Sequence, residues 1–357
     1  MNILVIAKLS PEKLQSKLRP FINNPQVEHI YLLRDEAFAT NEEKLVFMPL
    51  PNKRGLLRHA EKIRIARKYA KTHQIDIVLS YLLTPHGYMG WLLSKIIGAK
   101  WIHAIIAGHR EIWVDGKIAE KINIFLLRSA DVVNVMGQTT KEYLKKNGIR
   151  EQKIVVIPNA IDGEMFVPPA KKTAEYDILY ASRIDENKNF PLLIRAINRL
   201  QPNYPNIKIC VAGDGDRLDE AKQLCSQNGL GNNFTFLGKI EHDNIKKLYH
   251  KSNIFVLTSR GEGVPMALLE AMFCGMACIS TNVGEIGSII ENGENGFLLQ
   301  DTEDDAVLAE RIRLLLTNEK LRLLMAEKAT QIRKTYSYKN VMDSWNETLR
   351  SLKSKHL

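Results

Sequence analysis

The chain has 357 residues, 45% of them hydrophobic and 25% charged, which is globular composition and excludes a disordered, collagen-like or disulfide-scaffold protein. At about 150 residues per domain, this length suggests two domains, each large enough for its own core. The net charge of +10 is unevenly divided: residues 1–168 carry +9 and residues 169–357 carry +1, so the first half is expected to meet something anionic.

The chain begins directly on an apolar run, without the basic start and cleavage site of a secretory leader. A strand is predicted at 3–7, followed by short apolar runs at 29–33, 45–48, 75–80, 101–107 and 132–136. Helical patterns at 53–72, 87–97 and 140–147 lie between several of them. The stretch 75–93 is interrupted by Asp76, Pro85, His86, Gly87 and Gly90, so it reads as strand, loop and helix rather than a membrane span of ~20 apolar residues. Strand 153–157 ends in the turn Pro158-Asn159-Ala160-Ile161-Asp162, and Pro168-Pro169-Ala170-Lys171-Lys172 reads as a linker.

The pattern then restarts. Strands are predicted at 176–181, 207–212, 233–237, 254–258, 277–280 and 296–299, with helices at 190–200, 216–227 and 265–274. Two or three helices close the chain, the last of which, about 340–357, should pack back on the first domain. Alternating strands and helices imply parallel sheets covered on both faces. The expected fold is therefore α/β: two Rossmann-like, doubly wound domains, 1–168 and 169–339, facing across a cleft. Cys210, Cys225, Cys274 and Cys278 form no CxxC pair and read as buried, reduced thiols of a cytoplasmic protein.

The most specific segment is 259–272, Ser-Arg-Gly-Glu-Gly-Val-Pro-Met-Ala-Leu-Leu-Glu-Ala-Met. It follows a strand and opens a helix. Pro265 suits the first helical turn, Gly261 and Gly263 let the backbone approach a ligand, and the new helix aims its amides and positive dipole end at an anion such as phosphate. Glu262 precedes the helix, and Glu270 lies about one and a half turns inside it. A capped surface helix would need neither the glycines nor the apolar flank.

Glu262 and Glu270 in this run resemble the Glu-x7-Glu signature of family 4 glycosyltransferases, which have the GT-B fold. Pro158–Asp162 resembles that family's PNG[IV]D turn. Arg183 and Lys188, the 212–216 loop Ala-Gly-Asp-Gly-Asp, Phe236-Leu237-Gly238 and the 292–297 loop resemble further family segments in the expected order. The resemblance covers about 130–345. It implies that Arg183 and Lys188 grip the diphosphate of a nucleotide-sugar, that Glu270 takes the ribose hydroxyls and that Glu262 takes the donor sugar. It also places Gly213 and the backbone of Gly263, Val264, Pro265 and Met266 near sugar and phosphates, and Lys239 and Ile240 at the base.

The position of the two cations is independently suggestive. They follow the strand 176–181, where a diphosphate needs positive charge and arginine can bind two oxygens at once. An ion pair of Arg183 with Asp185 or Glu186 is the competing reading. Asp214-Gly215-Asp216 spells a DxD, but Gly213 and Gly215 read as a tight turn with Asp216 as helix cap. Neither a metal nor a cofactor is expected, since the nucleotide-sugar is a substrate. In the first half, His109 follows strand 101–107, where relatives have a histidine that contacts the donor sugar. His103, inside that strand, reads as core. Arg110 is a rival, acceptor-binding cation, and Lys8 stands where the family often has a glycine-rich loop.

The segment 53–71 carries Lys53, Arg54, Arg58, Lys62, Arg64, Arg67, Lys68 and Lys71 against Glu61. Leu56, Ala60, Ile63, Ala66 and Ala70 recur at helical spacing and should face the sheet. The cationic faces suit an anionic membrane surface, at ~1 kcal/mol per basic residue, a phosphate-bearing acceptor, or plain solvation. Nucleic acid is not expected, because no aromatic platform or known motif accompanies the charge. The combined expectation is a retaining, metal-independent glycosyltransferase moving sugar from a nucleotide-diphosphate sugar, UDP by default, to a glycan or lipid-linked acceptor. It would serve cell-surface polysaccharide or glycolipid synthesis, in the cytoplasm or on the cytoplasmic membrane face. The rivals are a GT-B sugar-nucleotide epimerase and a non-catalytic nucleotide-sugar-binding module.

Overall fold

The computed structural model describes residues 1–48, 56–113 and 115–354. Its contacts divide the chain into two units, Met1–Asn159 with Val341–Leu357, and Ala160–Asn340. The first unit contains β1 (Asn2–Ile6), β2 (His29–Leu32), β3 (Leu45–Phe47), β4 (Ile77–Tyr81), β5 (Lys100–Ile105), β6 (Val132–Val135) and β7 (Ile154–Val156). These form one sheet in the order β3-β2-β1-β4-β5-β6-β7, every pairing parallel. The second unit contains β8 (Tyr176–Ala181), β9 (Ile209–Ala212), β10 (Phe234–Gly238), β11 (Ser252–Leu257), β12 (Ala277–Thr281) and β13 (Phe297–Leu299), in the order β10-β9-β8-β11-β12-β13 and again parallel.

The central strands are continuous apolar runs. Leu4, Ile6, Val78, Ile105 and Val133 in one sheet, and Ile178, Val211, Val256 and Ile279 in the other, are fully buried, as a sheet covered on both faces requires. The helix Phe190–Leu200 shows how a cover is built: Phe190, Leu193, Ile194, Ile197 and Leu200 fall on its inner face. Strand order reverses between β1 and β4 and between β8 and β11. Beyond the carboxyl ends of such a pair the loops diverge and leave a crevice for a ligand.

The boundary falls at 159/160 rather than at 168, and the proline-rich segment is no free linker. Phe166 is buried with its ring against Tyr249 (centroids 6.0 Å apart), and His250 Nε2 lies 2.8 Å from the Val167 carbonyl oxygen. Lys172 is buried enough to lower its pKa to about 8. The helix Tyr338–Ser354 packs within the first unit, where Trp345 meets Phe21 at 4.7 Å and Asn24 donates to Asn346 Oδ1 at 2.6 Å. All four cysteines are buried and unpaired, and burial pushes their thiol pKa values up. Among the described residues no helix is long and apolar enough to cross a membrane.

The basic helix spans Leu56–Thr72; Lys53 and Arg54 lie outside the described residues. Its buried face differs from the expected one. Lys62, Ile65 and Ala66 are buried and Ala60 is exposed. Lys62 Nζ and Arg58 Nε both reach Asp35 Oδ1 at 2.7 Å. Asp35 follows β2 and supplies the carboxylate that lets a lysine turn inward. Burial alone would raise the Asp35 carboxyl, but hydrogen bonding and charge from Lys62, then Arg58, hold its pKa below the usual carboxylate value. Lys62 is therefore not part of a solvated cationic face, which removes it from any membrane-contacting surface. Arg64, Arg67 and Lys68 remain exposed.

Candidate active site

The second unit places its predicted residues around the β8/β11 reversal. The loops there are stitched by backbone bonds. Ser182 donates to Ala212 O (3.1 Å), Ile184 to Asp214 O (3.0 Å) and Arg260 to Asn187 O (2.7 Å). Two glycines make the approach possible. A Cβ on Gly213 would stand 1.8 Å from Ser182 O, and one on Gly284, where φ is +59°, 1.9 Å from Glu262 O. Gly213 thus serves by close packing; its amide donates to Gly238 O at 2.8 Å, while the residue itself lines the cavity beside Arg183.

Lys188 and Glu262 face each other, with Nζ to Oε1 at 2.6 Å. Ser259 Oγ donates to the same oxygen at 2.5 Å. The Lys188 carbonyl accepts hydroxyls from both Tyr180 (3.0 Å) and Thr258 (2.9 Å), which fixes the residue's backbone under its side chain. Arg183 behaves differently. It is 76% exposed and pairs with Asp185 at 3.0 Å, the competing partner named from sequence. An exposed pair of this kind is weak, so an anion can take the guanidinium over.

A cavity of about 710 Å³ opens beside Arg183, lined by Gly213, Lys239, Ile240, Ala267, Tyr249 and Glu270 among others. The helix Met266–Phe273 contributes Ala267 and Glu270. Pro265 is its N-cap, one position earlier than expected, with φ −74°, ψ 115° and no side-chain cap. Its carbonyl accepts the Leu269 amide at 3.2 Å. Having no N–H, Pro265 cannot donate to a ligand, while the first-turn amides of Met266, Ala267 and Leu268 have no partner within the helix. Glu270 is 7% exposed and accepts the Tyr249 hydroxyl at 2.8 Å. Burial raises its pKa to about 7, and the Tyr249 bond opposes this. Asp214 takes the Gly215 amide at 2.8 Å. Asp216 is not the helix cap: the next helix starts at Leu218, with Arg217 in the cap position.

In the first unit, Lys8 is exposed beyond β1, and His109 and Arg110 follow β5. The His109 ring stacks on Tyr143 at 5.0 Å, and its buried Nδ1 has no hydrogen-bond partner among the described residues. His103 is core: fully buried, 2.9 Å from Ser80 Oγ, and lowered by burial to a pKa of about 3. The sequence reading missed Glu111 and Lys17. Glu111 accepts amides from Leu83 (2.7 Å), Ile106 (3.1 Å) and Ala107 (3.2 Å), yet burial raises its pKa to about 7. Lys17, which donates to Asn159 Oδ1 at 2.6 Å, is lowered by burial to about 8. The available signal was Lys17 on the apolar stripe Leu14, Leu18, Phe21 of its helix.

Two family models match the chain in tandem: Glycosyltransferase Family 4 over residues 26–164 and Glycosyl transferases group 1 over residues 162–332. The chain is a family 4 glycosyltransferase. This glycosyltransferase is 26% identical over 92% of its length, and 88% of the relative's, to a Campylobacter jejuni α-1,4-N-acetyl-D-galactosaminyltransferase that acts on GalNAc-GalNAc-diNAcBac-PP-undecaprenol. It is also 26% identical to a component of the phosphatidylinositol N-acetylglucosaminyltransferase of Arabidopsis thaliana, over 78% of this chain and 62% of that one. Its fold matches the crystal structure of Anabaena Alr3699/HepE with UDP and glucose, with a TM-score of 0.78 at 20% identity over 98% of this chain and all of the other. The glycosyltransferase fold is GT-B, as expected from the Glu-x7-Glu run.

Proposed function

We propose that this glycosyltransferase moves a sugar from a nucleotide-diphosphate sugar, UDP-linked by default, to a glycan or lipid-linked acceptor, with retention and without a divalent ion. The observation that carries the reading is the cavity where Arg183, Lys239, Ile240 and Glu270 meet the opening turn of the Met266–Phe273 helix. The base goes to Lys239 and Ile240, the ribose diol to Glu270, and the diphosphate to Arg183 and the amides of that turn. As the glycosidic bond breaks, charge grows on the leaving diphosphate. Amides already in place, and a guanidinium that has only to leave its weak, exposed pair with Asp185, stabilise that charge. Lys188 is held beside it by Tyr180 and Thr258, and Glu262, fixed by Lys188 and Ser259, accepts hydroxyls of the donor sugar. The leaving phosphate assists attack from its own face. Lys8 and Arg110 belong to the acceptor side, and His109, after the strand Lys100–Ile105, is the candidate for contact with the donor sugar.

The names of the Campylobacter and Arabidopsis relatives specify an undecaprenol-linked and a phosphatidylinositol acceptor, which supports a lipid-linked acceptor here. The UDP bound by the Anabaena protein supports the base. A thermal-shift panel of nucleoside diphosphates and their sugars, run in chelator, tests the donor; product analysis with and without acceptor tests the reaction. Stabilisation by one diphosphate family and turnover only with acceptor is expected. Donor conversion without acceptor would make the chain an epimerase, binding without any turnover a module, and an absolute need for added metal would overturn the charge assignment.

A further inference from the structure

Ile118, Ile122 and Phe125 stand on the helix Lys117–Arg128 and are 79%, 49% and 74% exposed. Their spacing aligns them in one stripe along the helix. The opposite face of the same helix, Ile124, Leu126 and Leu127 with Asn123, is buried in the first unit. The helix is apolar on two sides and the core accounts for one. Trp113, at the end of the short helix just before it, and Leu92 and Ile96 of the helix Tyr88–Ile97 are exposed as well. That last helix is tied in by Tyr88, whose hydroxyl donates to Asn123 Oδ1 at 2.6 Å. Scattered apolar residues on a surface need no explanation, but a contiguous set does.

Charge selects the occupant. Arg110, Lys117, Lys121 and Arg128 are exposed along the same segment. Of its acids, Glu111 is turned inward onto backbone amides and Glu120 accepts the Tyr143 hydroxyl, which leaves Asp115. A second copy of this chain would bring two cationic rims together. A surface of anionic headgroups over acyl chains complements both the rim and the stripe. The Leu56–Thr72 helix has exposed cations but, among the described residues, no exposed large apolar side chain, and its Lys62 is buried.

We propose that the face made by Trp113, Ile118, Ile122 and Phe125 enters the headgroup–acyl boundary of an anionic membrane, with Lys117, Lys121 and Arg128 on its phosphates. The inference rests on the stripe and its rim, not on the donor chemistry, so it is measured without sugar transfer. The full chain is sedimented with phosphatidylcholine vesicles and with vesicles containing phosphatidylglycerol, at low salt. Wild type should pellet with the anionic vesicles. The triple variant Ile118→Ser, Ile122→Ser, Phe125→Ser should partition at least about tenfold less, with an unchanged unfolding midpoint because all three positions are exposed. Lys117→Glu with Lys121→Glu should lose the preference for anionic lipid. Wild type left in the supernatant overturns the proposal, as does a triple variant that pellets like wild type. So does loss of vesicle binding in Arg67→Glu, Lys68→Glu, Lys71→Glu with the stripe variant unaffected. A lipid-free dimer that the stripe variant dissolves, without vesicle binding, would assign the face to a second copy instead.

Discussion

Burial raises the Glu270 carboxyl to about 7 even though the Tyr249 hydroxyl pulls the other way. Ribose hydroxyls donate best to the ionised form, so nucleotide binding should draw the proton off. Between pH 8 and pH 6 the ionised fraction falls about tenfold, and calorimetric affinity for a nucleoside diphosphate should fall by a similar factor, levelling off above pH 8. Glu270→Gln should bind weakly with a shallower profile, set only by the ligand's terminal phosphate, whose second pKa is about 6; a wild-type profile no steeper than the variant's would remove Glu270 from the ribose. The Lys188–Glu262 pair is a second case, with both side chains mostly buried. Lys188→Met strands a carboxylate and should cost about 2 kcal/mol, less than a fully dry pair. Adding Glu262→Gln should recover most of that stability in denaturant unfolding, while turnover stays down by at least about 100-fold. A double variant as unstable as the single one would show that the pair is not the source. The placement of Arg183, Lys188 and Glu262 just beyond strand ends, and of Glu270 within the helix that follows, was legible because strands and helix starts are marked in the sequence. The roles of Tyr249 and Ser259 were not, since they exist only through partners brought together by folding.

Among elements, the loops around β8 and β11 depend on backbone closeness that only glycine permits. Gly284→Ala would drive a Cβ to 1.9 Å from Glu262 O at a φ of +59°. It should cost about 2 kcal/mol or more and impair turnover by displacing Glu262. Gly229→Ala, at φ +70° with nothing within 4 Å, carries only the conformational cost of about 1 kcal/mol and should leave turnover alone. Equal losses of thermal stability and activity in the two variants would mean that Gly284 does not hold the loop. Element identity was largely legible: β8 and the Phe190–Leu200 helix match their predicted bounds. Orientation was less so. Helical periodicity puts lysines outward, and only Asp35, distant in sequence, turns Lys62 in; Lys17 is reversed likewise on its own helix. The caps also slipped by a residue, Arg217 for Asp216 and Pro265 before rather than within the first turn, because pattern locates a helix more firmly than its end.

For the whole molecule, alternating strands and helices sufficed to foresee two parallel sheets, and both adopt an order that reverses beside their first strand. The unit boundary was misplaced because a proline-rich segment looks like a linker, whereas Phe166 must be buried and draws its neighbours onto Tyr249. The predicted donor residues in residues 183–270 lie in one unit, and the proposed chemistry depends on a diphosphate bound there. Calorimetric titration of UDP into the full-length wild type, Arg183→Ala and Glu270→Ala addresses this most directly. One site per chain is expected in wild type, with affinity at least about tenfold weaker in each variant, the loss expected for a charge-assisted hydrogen bond. Wild-type chain that binds no nucleoside diphosphate, or variants that bind UDP as tightly as wild type, would contradict a donor site built on these residues.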